Sequence, residues 1–166
     1  MKIQRGSALS FSAPLLALSL LSGTLAAHSQ DNKYACTEPT SAQTCTFAQT
    51  CGSPSSPCIV DVKRTANAAS STPSIPNAKG NSLFCVSPGT TVIWKSTQKD
   101  IGFIIDLGPS SPFDPTGAIT GGSARSASVV AKRTGCVNYS VSACHPGENY
   151  GMCGTGNAVL IVIDKK

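Results

Sequence analysis

Short runs rich in apolar and β-branched residues recur along the chain, separated by clusters of Gly, Pro, Ser, Asn and Asp. They fall at 58–62, 83–86, 90–95, 101–107, 126–131, 137–143 and 158–164, and each predicts a strand. The turn signals between them are Ser87-Pro88-Gly89, Lys99-Asp100, Gly108-Pro109, Gly121-Gly122, Gly135 and Pro146-Gly147. About seven short strands punctuated in this way predict an all-β domain, a sandwich or barrel. The run from Ala158 to Ile163 is continuously apolar, which suits a strand covered on both faces. Periodicity alone leaves a short buried helix open there.

The other segments lack such patterning. Residues 65–82 and 108–125 are rich in Gly, Pro, Ser and Asn and read as long connections. Residues 28–57 are small and polar, with no helical or alternating pattern, and read as an irregular extension. Residues 1–27 differ again. Lys2 and Arg5 precede an apolar core from Phe11 to Leu21, and Thr24-Leu25-Ala26-Ala27 supplies small residues for cleavage. This is the layout of a secretory signal peptide. Its core falls short of the roughly 20 apolar residues that span a bilayer. No later stretch reaches that length, so residues 28–166 are expected to carry no membrane span. The expected location is secreted, periplasmic or otherwise extracellular.

Composition narrows the choice. Charged residues are 13% of the chain and aromatics 5%, with 15 Gly and 11 Pro. A long helical bundle needs far more Ala, Glu, Lys and Leu. Removing 1–27 takes away Lys2 and Arg5 but no acid, so the net charge falls from +5 to +3. The remaining cations are scattered, whereas nucleic-acid binding needs a concentrated basic stripe.

Export decides how the eight cysteines are read, because an oxidising compartment pairs thiols. Cys36, Cys45, Cys51, Cys58, Cys85, Cys136, Cys144 and Cys153 are even in number and contain no C-x-x-C pair of the kind a structural zinc site uses. All eight are disulfide candidates. Eight cysteines allow 105 pairings. Short spacings favour Cys144 with Cys153 and a bridge within the Cys36–Cys58 cluster.

Two stretches resemble the cupredoxins, the small Greek-key β-sandwiches of the plastocyanin, azurin and phytocyanin type. Val86-Ser-Pro-Gly-Thr-Thr-Val-Ile-Trp94 resembles their pGttVxW strand. Tyr139-Ser-Val141-Ser-Ala-Cys144-His145, followed by Gly151-Met152-Cys153-Gly154 and an apolar strand, resembles their ligand loop. The resemblance covers about 58–166 and implies an antiparallel sandwich, with Trp94 in or near the core and 108–125 on the surface. It also implies where copper would sit. A type 1 centre uses two His, a Cys thiolate and a weak axial ligand, usually Met. The thiolate position falls on Val141, one imidazole on Cys144 and the other near Ile101-Gly102-Phe103. Only Met152 matches. The expectation is therefore a cupredoxin-like domain with no metal or other cofactor. An alternative remains, in which Cys144, His145 and Met152 bind a soft metal such as copper.

Catalysis has little to work with. Acid–base and nucleophilic sites most often use His, and beyond the cleavage region only His145 remains. There is no G-x-S-x-G elbow, and Gly151-x-x-Gly154-x-Gly156 lacks the spacing and the following helix of a phosphate cradle. Asp106 and Asp114 read as surface charge. The chain is expected to be a non-enzymatic binding or structural module for an unidentified ligand or protein partner. The alternative is a copper carrier or electron-transfer protein.

Overall fold

A computed structural model describes residues 33–36, 44–46 and 49–163. Residues 1–27, which the sequence reads as a signal peptide, and His28 lie outside them.

The domain is all-β. Strand β1 (Cys58–Thr65) turns through Ala66 into β2 (Ala68–Pro73), forming a hairpin. On its other side β1 runs parallel to β4 (Thr91–Lys95). Beyond β4 come β8 (Ala127–Ala131) and the two-residue β6 (Phe113–Asp114), both antiparallel. A second group centres on β9 (Gly135–Cys144), which lies between β5 (Gly102–Asp106) and β10 (Gly154–Val162). The strand β7 (Ala118–Gly122) flanks β5, and β3 (Phe84–Val86) runs parallel to the end of β10. Thr155 at the start of β10 meets Ala68 of β2 and joins the two groups into one mixed sheet. The sheet curls around a single core.

Strand alternation explains that core. Val60 and Val62 of β1, Val92 and Trp94 of β4, Phe103 and Ile105 of β5, and Val137, Tyr139 and Val141 of β9 all point inward and are buried. Their neighbours in sequence point outward, as the two-residue period requires. Each fully buried side chain of this kind is worth about 1.5–3 kcal/mol against exposure. Trp94 and Tyr139 are the two largest, with ring centroids 5.8 Å apart in an edge-to-face arrangement. The Tyr139 hydroxyl shares a 2.7 Å hydrogen bond with Ser71, so the buried phenol is satisfied. Burial pushes its pKa up to about 12, against the opposing hydrogen bond from Ser71, and it stays un-ionised.

Three expectations need correction. The sheet is not purely antiparallel, because β1 with β4, and β10 with β2 and β3, run parallel. Residues 65–82 are not one long loop, since β2 lies within them. Residues 108–125 likewise contain β6 and β7. The loop after β2 folds back instead. Asn81, at φ 61°, accepts the Ser71 N–H on its Oδ1 at 2.9 Å, and its own N–H donates to the Ser71 carbonyl at 2.8 Å. A single residue thus stands in for a neighbouring strand along part of β2.

The described parts of 28–57 contain no named strand, and three disulfides hold them: Cys36–Cys136, Cys45–Cys85 and Cys51–Cys58. Their backbone also pairs, with Cys51 N–H on the Cys85 carbonyl at 2.8 Å and Asn138 N–H on the Tyr34 carbonyl at 3.0 Å. Asn138, whose Asn-Tyr-Ser sequence matches a glycosylation acceptor, is half-buried against this strap, with its side-chain nitrogen 3.4 Å from the Lys33 carbonyl.

The strap is clasped by charge. Asp106 accepts from the Tyr34 hydroxyl at 2.7 Å, from Lys33 Nζ at 3.3 Å and from the Gly108 N–H at 3.1 Å. The Tyr34 ring lies so close to Gly108 that a β-carbon there would stand 2.6 Å from it, and Gly108 holds φ 76°. Partial desolvation, the largest single influence on Asp106, raises its pKa. The Tyr34 hydroxyl, the Gly108 amide and Lys33 outweigh it and hold the carboxyl below its ordinary value. A depressed folded pKa gives stability that is present above the unfolded value and lost as pH falls through the folded one. Tyr34 is therefore expected to undock below the usual aspartate range. Its ring signals in NMR should move with pH there, and Asp106→Asn should remove that transition. A pH-independent Tyr34 in the wild type would show that the clasp does not hold it.

Candidate functional site

The loop after β9 carries the soft ligand candidates, and its shape is set from three directions. The disulfide Cys144–Cys153 closes its base. The Glu148 carboxylate turns back to accept the His145 N–H at 2.8 Å. Arg64, near the end of β1, forms an ion pair with the same carboxylate and donates to the Met152 carbonyl at 3.1 Å. The His145 amide first, and then Arg64, hold the Glu148 carboxyl below its ordinary pKa. Arg64 is itself fixed. Its Nε donates to the Ala66 carbonyl at 2.9 Å, and Gln98 brackets its backbone, accepting from the N–H at 2.5 Å and donating to the carbonyl at 3.0 Å. The loop ends in a short 3-10 turn, Tyr150–Met152, before β10 begins.

This arrangement decides where each candidate residue lies. Cys144 carries no thiolate, because its sulfur is bonded to Cys153. His145 is exposed, and its imidazole makes no hydrogen bond among the described residues. Met152 is 61% exposed and is the one large apolar side chain so exposed among them. Val141, at the position the resemblance gives to a thiolate, is fully buried in the core, as are Ile101 and Phe103. Among the described residues no group of three or more His, Cys, Asp or Glu could hold a metal ion. No cysteine is free, and all eight form the four bridges.

Nothing in the sequence singles out Arg64, Gln98 or Glu148. Arg64 and Glu148 stand 84 positions apart, and no local spacing links them. The glycines before and within β10 have a structural use. A β-carbon on Gly154 or Gly156 would overlap the carbonyl oxygen of Ala68 or Ala69, so the crossing of β10 over β2 requires both. They form no phosphate cradle.

Beside the loop lies a cavity of about 550 Å³. Its floor is the end of β5, with Gly102 and Ile104. The turn 122–125 after β7 forms one wall, and Cys144, His145 and Pro146 form the other. Asp100, at φ 57°, stands at its end. A second cavity of about 240 Å³ lies under the strap, between Tyr34, Leu107, Pro109 and Val137.

Among the described residues no helix is long and apolar enough to cross a membrane. The chain matches no protein family model and no curated protein.

Proposed function

We propose that this chain is an exported, non-enzymatic domain, a binding or structural module of cupredoxin-like character without a type 1 copper site. The observation that carries this reading is the pairing of Cys144 with Cys153. It removes the one thiolate the ligand loop contains and makes the loop a rigid display instead. The His145 imidazole, which makes no hydrogen bond among the described residues, supports the same reading, since a general base needs an orienting group and a nucleophile within reach. The cysteine content supports export, because four bridges persist only where thiols are oxidised.

The sequence order supports the cupredoxin likeness. The Val86–Trp94 stretch leads from β3 into β4, and the Tyr139–His145 stretch leads from β9 into the loop. The copper alternative would have to use His145 and Met152 alone, too few for a centre that needs a thiolate and two imidazoles.

Protein purified from the exported fraction tests this directly. Its N-terminus is expected near Ala27, with no free thiols in denaturant and no colour on addition of Cu(II). One tightly held copper per chain with an intense blue band would overturn the reading. A chain that still begins at Met1 with reactive thiols would remove the case for export.

A further inference from the structure

The cavity beside the loop owes its shape to a residue the fold does not need. Gly102, Gly122 and Cys144 form one row across β5, β7 and β9, since Gly102 pairs with both of the others. Gly122 is required where it is, because a β-carbon would stand 2.8 Å from the Ile101 carbonyl oxygen. Gly102 is not required. Its backbone is outside the left-handed region, and a β-carbon there would meet nothing within 4 Å. A glycine in a strand costs stability and often marks a place where a ligand or another backbone comes close. At Gly102 the open space is the cavity itself.

The rim gathers ionic groups that the rest of the domain leaves unpaired. Of the five described carboxylates, Asp61, Asp106, Asp114 and Glu148 each form an ion pair. Asp100 is the fifth, and it opens on the cavity. Facing the same space is Arg125. Its Nη2 is held by Thr120, at 2.9 Å from the hydroxyl and 3.4 Å from the carbonyl. Its Nε and Nη1 have no partner among the described residues, and each N–H is left to donate to a carboxylate oxygen. One unpaired anion and one anchored cation therefore border a floor of bare backbone and Ile104.

We propose that this trough binds a small zwitterion, an amino acid or short peptide with one flat apolar side chain. Arg125 takes the carboxylate, Asp100 takes the ammonium group, and the ring lies on the uncovered backbone at Gly102. The volume suits such a ligand, since small-molecule sites run from about 300 to 1,000 Å³. This assignment rests on the chain being a binding module and names what the module binds.

The test is a backbone-amide NMR titration of the oxidised protein with L-phenylalanine and with the tripeptide glycyl-phenylalanyl-glycine. Phenylacetate and phenethylamine serve as single-charge controls. Saturable shifts are expected at Gly102, Gly121, Gly122 and Arg125, and each single-charge probe should bind about tenfold more weakly or worse, the loss of about 1.4 kcal/mol. Binding of the amino acid assigns a free ligand, and binding of the tripeptide alone assigns a peptide. Gly102→Val should fill the trough and abolish the shifts while the melting temperature holds or rises. Arg125→Gln, a change at an exposed side chain, should weaken binding about tenfold with the fold intact. The proposal is overturned if neither zwitterion gives saturable shifts by about 20 mM, if a single-charge probe binds equally well, or if both variants bind like the wild type. Such a failure would leave the exported-module reading standing, because that reading is decided by the N-terminus, the thiol count and the copper titration.

Discussion

Complete reduction of the four disulfides is expected to leave this domain largely unfolded at about 37 °C. The bridges close loops with sequence separations of 100, 40, 7 and 9 residues. In the chain-entropy account each contributes between about 2 and 5 kcal/mol, more for the longer loops. These contributions do not simply add. Even half their sum rivals the 5–15 kcal/mol that typically separates folded from unfolded domains. The core is ill placed to make up the loss, because aromatic residues are only 5% of the chain. Thermal melts of oxidised protein and of reduced, alkylated protein give the comparison. A melting temperature within a few degrees in both forms would mean that the sheet is stable on its own.

The second large effect is expected at Gly156. Strand β10 belongs to both halves of the sheet, and it reaches β2 only because its first residues have no side chains in the way. Gly156→Ala puts a β-carbon into the Ala69 carbonyl oxygen. Both partners are backbone, so neither moves without breaking the contact at Thr155 and Ala68. The cost is about 3 kcal/mol, at the upper end for overpacking, because relaxation has to displace a strand. Gly102→Ala, with open space around it, is the matched control and should change stability by less than about 1 kcal/mol. Chemical denaturation of the two variants beside the wild type measures both. Equal stability of all three would show that β10 can approach β2 by another route.

The two glycines illustrate what the sequence hides. Both lie in chain segments rich in turn residues, yet one is forced by a crossing strand and the other faces empty space. Strands β1, β4, β5 and β9 are legible because their inward positions carry Val, Ile, Phe, Trp or Tyr at alternate residues. Strand β2 is not, because its inward positions are Ala69, Ser71 and Pro73. Ser71 is fully buried for the sake of the Tyr139 hydroxyl, a partner 68 positions away. Hydrophobic patterning carries no trace of such a pair. Strand β7 fails for a related reason, since Ala118-Ile-Thr-Gly-Gly122 reads as a turn until β5 lies beside it. The loop after β9 is partly legible. Its residues were identified, but the guanidinium that fixes it comes from β1, and nothing near Arg64 in the sequence signals that reach.

The order of the cysteines along the chain sets a problem for biogenesis. Cys36, Cys45, Cys51 and Cys58 emerge first during synthesis, and among them only Cys51 and Cys58 are native partners. Cys45 must wait for Cys85, and Cys36 must wait for Cys136. A bridge between the two waiting thiols closes a shorter loop than either native bond and forms more readily, since loop closure favours nearby partners. Such a bond is a trap that only thiol–disulfide exchange can release. A catalyst of disulfide exchange is therefore expected to speed the maturation of this protein. Oxidation in the absence of one should accumulate scrambled isomers with the strap mispaired.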